Sequence, residues 1–257
     1  LIGASKCGTT FLYNILKLHP NICMSSIKEP QIFYGNQYEK KVANLNTYYS
    51  HYNNENYIGE ASPIYSETKQ FTEIPKRLFD YNSEAKIIYI VREPFARLES
   101  TFIQAYSTGH WINEKKYERY KKKMSKKFKE AIFLYPPLLE STKYWTHIQS
   151  YRKYFSDQNI KIVLLENLLE DKEIEISKLF KFLNIDHNYT INFANLNMNS
   201  SKEKKPYNSL LYYIKELLPD NLTKIFNQRI LMKIKSLFKI LNFSSFPSTK
   251  LSKKNKM

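Results

Sequence analysis

The chain has 257 residues, 42% of them hydrophobic and 25% charged, a length that suits one sizeable α/β domain able to bury a full core without disulfides or metals. Its two cysteines, Cys7 and Cys23, point to neither a disulfide framework nor a C-x-x-C metal site, and no apolar run reaches the length of a membrane span or reads as a signal peptide. Lys and Arg number 40 against 24 acids, a net charge of +16, which favours polyanionic partners such as nucleic acid, acidic glycans or membrane surfaces, although abundant Lys, Asn and Ile are also what AT-rich coding produces.

The chain opens LIGASKCGTTFLYNIL. Leu1 and Ile2 read as the end of a buried strand, residues 3–8 as a tight turn, and residues 9–18 as a helix with Phe11, Leu12, Ile15, Leu16 and Leu18 at its apolar positions. A loop of this kind aims backbone N–H groups and the positive end of a helix dipole at one point, which suits a phosphate or sulfate group. Against the phosphate-loop pattern G-x-x-x-x-G-K-[ST], Gly3, Gly8 and Thr10 fit, Thr9 stands where the lysine belongs, and the lysine lies inside the loop at Lys6.

Residues 21–25 read as a short strand, and IKEPQIFYG as a loop bracketed by Pro30 and Gly35. Residues 48–56 read as a helix end and loop, and YIGEASPIY as a short strand entering a turn at Pro63. Phe71, Ile74, Leu78 and Phe79 have helical spacing, and residues 87–91 form the clearest buried strand, releasing Arg92 at its carboxyl end. Ligands of open α/β sheets bind beyond those ends, so Arg92 is expected beside Lys6.

Residues 95–106 continue as a helix, 114–129 are a lysine run read as a solvated helix or flexible excursion, and 140–155 are an amphipathic helix. Residues 160–167 read as a strand and 174–183 as a further helix. Residues 188–207 are polar and loop-like; residues 210–243 hold two basic amphipathic segments split at Pro219-Asp220, read as helices packing on the domain, with an anionic membrane as the alternative. The alternation predicts the α/β class: a single P-loop-like domain with a central, mostly parallel sheet flanked by helices over residues 1–207, and a basic amphipathic helical extension over 208–257 that reads as truncated.

Taken together, SKCGTTFLYNILKLHP, KEPQIFYG, GEASPIY and IIYIVREPFARLESTF, in this order, resemble the sulfotransferases that use 3′-phosphoadenosine 5′-phosphosulfate (PAPS), above all their carbohydrate and heparan-sulfate branch. The resemblance implies that Lys6, Gly8, Thr9 and Thr10, with Cys7 in the same loop, hold the donor's 5′-phosphosulfate, Lys6 acting as the main electrostatic catalyst. Arg92, Pro94, Arg97 and Ser100 meet R-x-P-x-x-R-x-x-S, and the family places its first Arg and its Ser on the 3′-phosphate, an oxyanion that a guanidinium suits. Glu29, followed by Phe33 and Tyr34, matches the family's general base for the acceptor hydroxyl; the plainer alternative is a loop acid paired with Lys28. Ser201 and Lys202 in SSKEKKP are nearest to the basic loop that closes over the 3′-phosphate, with Lys204 or Lys205 where arginine is usual.

Departures from the family are equally specific. Heparan-type enzymes often read E-K-T-P where this chain has Glu60-Ala61-Ser62-Pro63, so a second catalytic lysine is absent or replaced. Phe102 stands where a tyrosine is common. Histidine is the base in the small-molecule branch, which keeps His51 and His110 as minor rivals to Glu29, while His19 reads as structural.

The resemblance therefore implies transfer of a sulfuryl group from PAPS, without a metal, to a hydroxyl or amine. The acceptor is read as a carbohydrate, acidic on the strength of the net charge, with Tyr48, Tyr49, Tyr52 and Tyr106 available to stack on sugar rings. No specific nucleic-acid partner is expected, and the location is read as cytoplasmic, with the Golgi lumen as the alternative had an N-terminal anchor been trimmed. A P-loop small-molecule kinase would have lysine at position 9 and an acidic magnesium ligand at a strand end, where the chain has Thr9 and Arg92. A basic module binding nucleic acid or anionic membrane through residues 115–129 or the C-terminal segments leaves the spacing of both anion motifs unexplained.

Overall fold

The computed structural model describes residues 1–107, 125, 127–134, 136–193 and 196. In chain order the helices are α1 (Thr9–Leu16), α2 (Tyr38–Ala43), α3 (Ile74–Tyr81), α4 (Pro94–Ser107), α5 (Phe128–Leu134), α6 (Pro136–Glu140), α7 (Tyr144–Arg152), α8 (Leu165–Glu170) and α9 (Lys172–Phe182). The strands are β1 (Ile22–Met24), β2 (Tyr57–Gly59), β3 (Ile87–Val91) and β4 (Ile160–Leu164). Most of the lysine run and all of residues 201–257 lie outside the described residues.

The strands pair in parallel, β1 with β2 (Cys23 opposite Ile58) and β3 with β4 (Tyr89 opposite Ile162). Residues 1–4 join the two pairs. On one side Ile2 N donates to Ile88 O (2.9 Å), Ile90 N to Gly3 O (2.8 Å) and Ala4 N to Ile90 O (2.6 Å). On the other, the Leu1 nitrogen donates to Glu60 O (2.8 Å) and Ser62 N to Leu1 O (3.2 Å). The spatial succession is therefore β1, β2, the opening segment, β3, β4. The chain travels one way from the opening segment to β1 and crosses back to β3, so the loops that leave Ala4 and Val91 emerge side by side at the point where strand order reverses, where open α/β sheets bind ligands.

All five residues of β3 are buried, as expected of a parallel strand covered on both faces. Its neighbours in the core include Phe11, Leu12 and Ile15 of α1, Val163 of β4, Tyr151 of α7 and Phe180 of α9. That burial fixes where α1 begins and hence where the loop before it sits.

Two expected elements are corrected. The strand expected over 160–167 ends at Leu164, and Leu165 opens α8, whose Leu165 and Leu168 are both buried. The period thus changes inside IKIVLLEN, a short apolar run in which helix and strand are hard to separate by pattern. The helix expected over 140–155 is broken between Glu140 and Tyr144; within the break the Ser141 hydroxyl accepts from Arg97 Nη1 (2.5 Å), a polar side chain taking a tertiary partner in place of helical continuity. Residues 38–43, in no expected element, form α2.

The described residues fall into two compact units, Leu1–Arg97 with Glu140–Asn199 and a second that includes Leu98–Leu139, the division falling within α4. In the second unit Leu98 and Phe102 of α4 pack with Phe128, Ala131 and Ile132 of α5 and Leu138 of α6.

Candidate active site

The loop of residues 5–8 turns the chain from the sheet into α1. Lys6 sits in the left-handed region at φ 67°, where a residue with a Cβ costs on the order of 1–2 kcal/mol. Gly8, at φ 88°, is the N-cap of α1 and makes no side-chain cap hydrogen bond, so the first-turn N–H groups are left to water or an anion. An added Cβ at Gly8 would fall 2.8 Å from Leu165 Cδ1, so the start of α1 packs tightly on the start of α8. Cys7 and Thr9 turn inward and are buried, whereas Lys6 and Thr10 are half-buried.

Arg97 braces this loop. Its Nε donates to Ser5 O (2.8 Å), its Nη1 to Ser141 Oγ, and its Nη2 lies 3.9 Å from the Glu67 carboxylate. At 1% exposure it is a buried charge, and three kinds of oxygen around it are what such a charge needs. Burial pushes the Glu67 carboxyl up, with Arg97 opposing. The second arginine of the R-x-P-x-x-R stretch therefore holds the backbone of the first motif.

Tyr144 ties the same loop to the end of β3. Its hydroxyl donates to Arg92 O (2.8 Å) and lies 3.7 Å from Cys7 Sγ. Burial pushes the Cys7 thiol up, opposed by the nearby Arg97 guanidinium, the Tyr144 hydroxyl and Arg92. Cys7 is thus a neutral packing residue within the loop. Arg92 is half-buried. Glu93, which follows it, spends its carboxylate on the start of α4, accepting from Phe95 N (2.9 Å) and Ala96 N (2.6 Å).

Glu29 lies on an irregular turn at φ 61°, with Gln31 at φ 53°. Its side chain is 42% exposed and forms an ion pair with Lys28. The turn is held from behind: Gln31 N donates to Ser62 Oγ (3.0 Å), Phe33 N to Tyr65 Oη (2.9 Å), and Lys41 Nζ to Gln31 O (2.7 Å). Ala61, where heparan-type enzymes often carry lysine, is fully buried.

The remaining candidates divide clearly. Ser100 is a buried residue of α4 in the second unit. Ser201, Lys202, Lys204, Lys205, His110 and the Tyr106 side chain lie outside the described residues. His19 is structural, as expected: Nδ1 accepts from Asn21 N (3.1 Å) and Nε2 meets Asp186 O (2.9 Å). His51 directs Nε2 to Met24 O (3.0 Å). Tyr48 and Tyr49 pack against the core, leaving Tyr52 the exposed tyrosine of that loop at 48%. Tyr144 and the bracing role of Arg97 carry no local signal in the sequence, because their contacts join residues 92 and 137 positions apart.

The first loop and the start of α1 thus leave the sheet beside Arg92, the residue after β3, an arrangement common in α/β folds that bind anionic ligands. The chain belongs to the sulfotransferase domain family, whose profile matches residues 1–253. It is 28% identical over 186 residues to mouse heparan sulfate glucosamine 3-O-sulfotransferase 5, covering 72% of this chain and 52% of that protein. It is 27% identical over 225 residues to the mouse bifunctional heparan sulfate N-deacetylase/N-sulfotransferase 4, covering 76% of this chain and 23% of that one. A membrane-associated sulfotransferase of Dictyostelium discoideum is 33% identical over 122 residues, 45% of this chain and 24% of that one. The chain spans about half the length of the 3-O-sulfotransferase relatives, and less of the others. A sulfotransferase from Alicyclobacillus acidocaldarius shares the fold, with a TM-score of 0.59 at 19% identity over 84% of this chain and 90% of that one.

These relatives correct the expected location. The similar proteins are heparan sulfate enzymes and a membrane-associated sulfotransferase, which overturns the cytoplasmic expectation.

Proposed function

We propose that this chain carries the transfer centre of a PAPS-dependent carbohydrate sulfotransferase. The observation that carries the reading is the loop of residues 5–8, with left-handed Lys6 between a backbone carbonyl braced by Arg97 and a helix start that has no side-chain cap. Such a cradle suits a phosphosulfate, because preorganised N–H groups and an ammonium stabilise negative charge as it develops. When bound, PAPS supplies the sulfuryl group and a phosphate leaving group that gains negative charge as its bond to sulfur breaks.

Lys6, Gly8, Thr9 and Thr10 are assigned to that phosphate, with Lys6 neutralising the growing charge. Arg92 is assigned to the 3′-phosphate, and Ser100, on the motif alone, is the second residue proposed for it. Glu29 takes the proton of the acceptor hydroxyl as its oxygen attacks sulfur in line, so the carboxylate must leave its ion pair with Lys28 to act. The acceptor we assign is a polysaccharide of the heparan sulfate class, on the strength of the similar enzymes and the net charge of +16.

Calorimetric titration with 3′-phosphoadenosine 5′-phosphate, against ATP and in EDTA, tests the reading. Binding should prefer the 3′-phosphate compound and be lost in Arg92→Ala. Binding of ATP alone, restored only by magnesium, overturns it. In the same reading Glu29→Gln reduces transfer to a small residual rate while leaving this titration unchanged, and a fully active Glu29→Gln enzyme moves the base elsewhere.

A further inference from the structure

We infer that Glu60, through the hydroxyls of Ser62 and Tyr65, is the positioning residue for the turn that carries Glu29. Glu60 follows β2, and its carboxylate accepts from both hydroxyls, Ser62 Oγ at Oε2 (2.6 Å) and Tyr65 Oη at Oε1 (2.5 Å). Each hydroxyl, its proton committed to the carboxylate, presents a lone pair to one backbone N–H of the turn. Ser62 Oγ takes Gln31 N at 3.0 Å and Tyr65 Oη takes Phe33 N at 2.9 Å. One half-buried carboxyl therefore orients two relays onto alternate amides just beyond Glu29. Two short hydrogen bonds converging on one carboxyl group make this a stiff anchor.

The opposite side of the turn is held as well. Lys41 Nζ donates to Gln31 O (2.7 Å) and Pro30 O (3.4 Å). Glu29 and Gln31 both occupy positive φ without being glycine, a conformation that persists only where the surroundings over-determine it. The clamp of Glu60, Ser62, Tyr65 and Lys41 supplies that determination. Ser62 and Tyr65 are buried, so both act on the turn from its inner side. Burial pushes the Glu60 carboxyl up, and the hydrogen bonds from the two hydroxyls oppose that shift. The glutamate of Glu60-Ala61-Ser62-Pro63 thereby has a task where the family's following lysine is missing.

The inference rests on Glu29 being the base, and its test separates the two. Glu60→Gln replaces one accepting oxygen by an amide that cannot accept, and Tyr65→Phe, close to isosteric, deletes one relay outright. Hydrogen–deuterium exchange should quicken at the Gln31 and Phe33 amides in both variants and stay unchanged in residues 5–12. With PAPS and desulfated heparan sulfate, kcat should fall roughly ten- to hundredfold, the scale of a misplaced catalytic group. Affinity for 3′-phosphoadenosine 5′-phosphate should remain at the wild-type value. On a Glu29→Gln background, Glu60→Gln should cost nothing further. Unchanged exchange at both amides overturns the inference, as does an equal fold-loss on both backgrounds. A fully active Glu29→Gln enzyme overturns the base assignment instead, and the exchange measurement still decides whether Glu60 holds the turn.

Discussion

In the proposed reading Lys6 concentrates the chemistry of the donor loop in one residue. A lysine inside the loop, at positive φ, projects from a different point than the lysine that usually closes a phosphate loop, and Thr9 at that position is buried. If Lys6 acts like one preorganised oxyanion donor, Lys6→Ala lowers the single-turnover rate by about 2.7–4 kcal/mol of barrier, or ~10²–10³-fold. Gly8 tests the scaffold under it. Gly8→Ala meets both a φ of 88° and a Leu165 methyl 2.8 Å from the new Cβ, so it should destabilise the fold by about 1–3 kcal/mol in chemical denaturation. At this scale the local geometry was legible, the turn before residue 9 and the helix after it both being present, while the anion-binding roles proposed for Lys6, Gly8 and Arg92 rest on residue type and spacing. Arg97 was legible only as a motif letter. Its work on Ser5 O is a contact made by the fold.

Among elements, α7 does more than its sequence suggests. Tyr144, its first residue, joins the loop after residue 4 to the loop after β3, and α7 begins there only because residues 141–143 break the helix expected across them. Tyr144→Phe keeps the ring packed on Tyr89 (6.0 Å) but removes the donor to Arg92 O. It should cost about 1 kcal/mol of stability and, by loosening Arg92, weaken the titration with 3′-phosphoadenosine 5′-phosphate several-fold while leaving ATP unaffected. β3 was read correctly to its last residue, since five consecutive apolar residues with β-branching allow little else. α8 was missed, because a short helix that follows a buried strand without a break shares one apolar run with it.

For the whole molecule, the pH dependence of stability has an identifiable contributor. Glu140 accepts from Lys143 Nζ (2.6 Å) and faces Lys69 Nζ (2.7 Å), and these ammonium groups hold its carboxyl down at about 2 against an ordinary 4.5. Because the folded state favours the ionised form, its contribution is present above about pH 4.5 and is lost as pH falls toward about 2. Wild type should therefore exceed Glu140→Gln in thermal stability at neutral pH, the gap closing as the solution is acidified through that window. A gap independent of pH removes the ion pairs as its cause.

Local chemistry determined the anion loop, the buried strand beside it and the order of motifs that marks the family, since each rests on residues close in the chain. Tertiary structure alone decided how those pieces are held. Glu29 is anchored by hydroxyls more than 30 positions away, the donor loop by an arginine 92 positions on, and both depend on burial that lends a polar group its strength only once the sheet has closed around it.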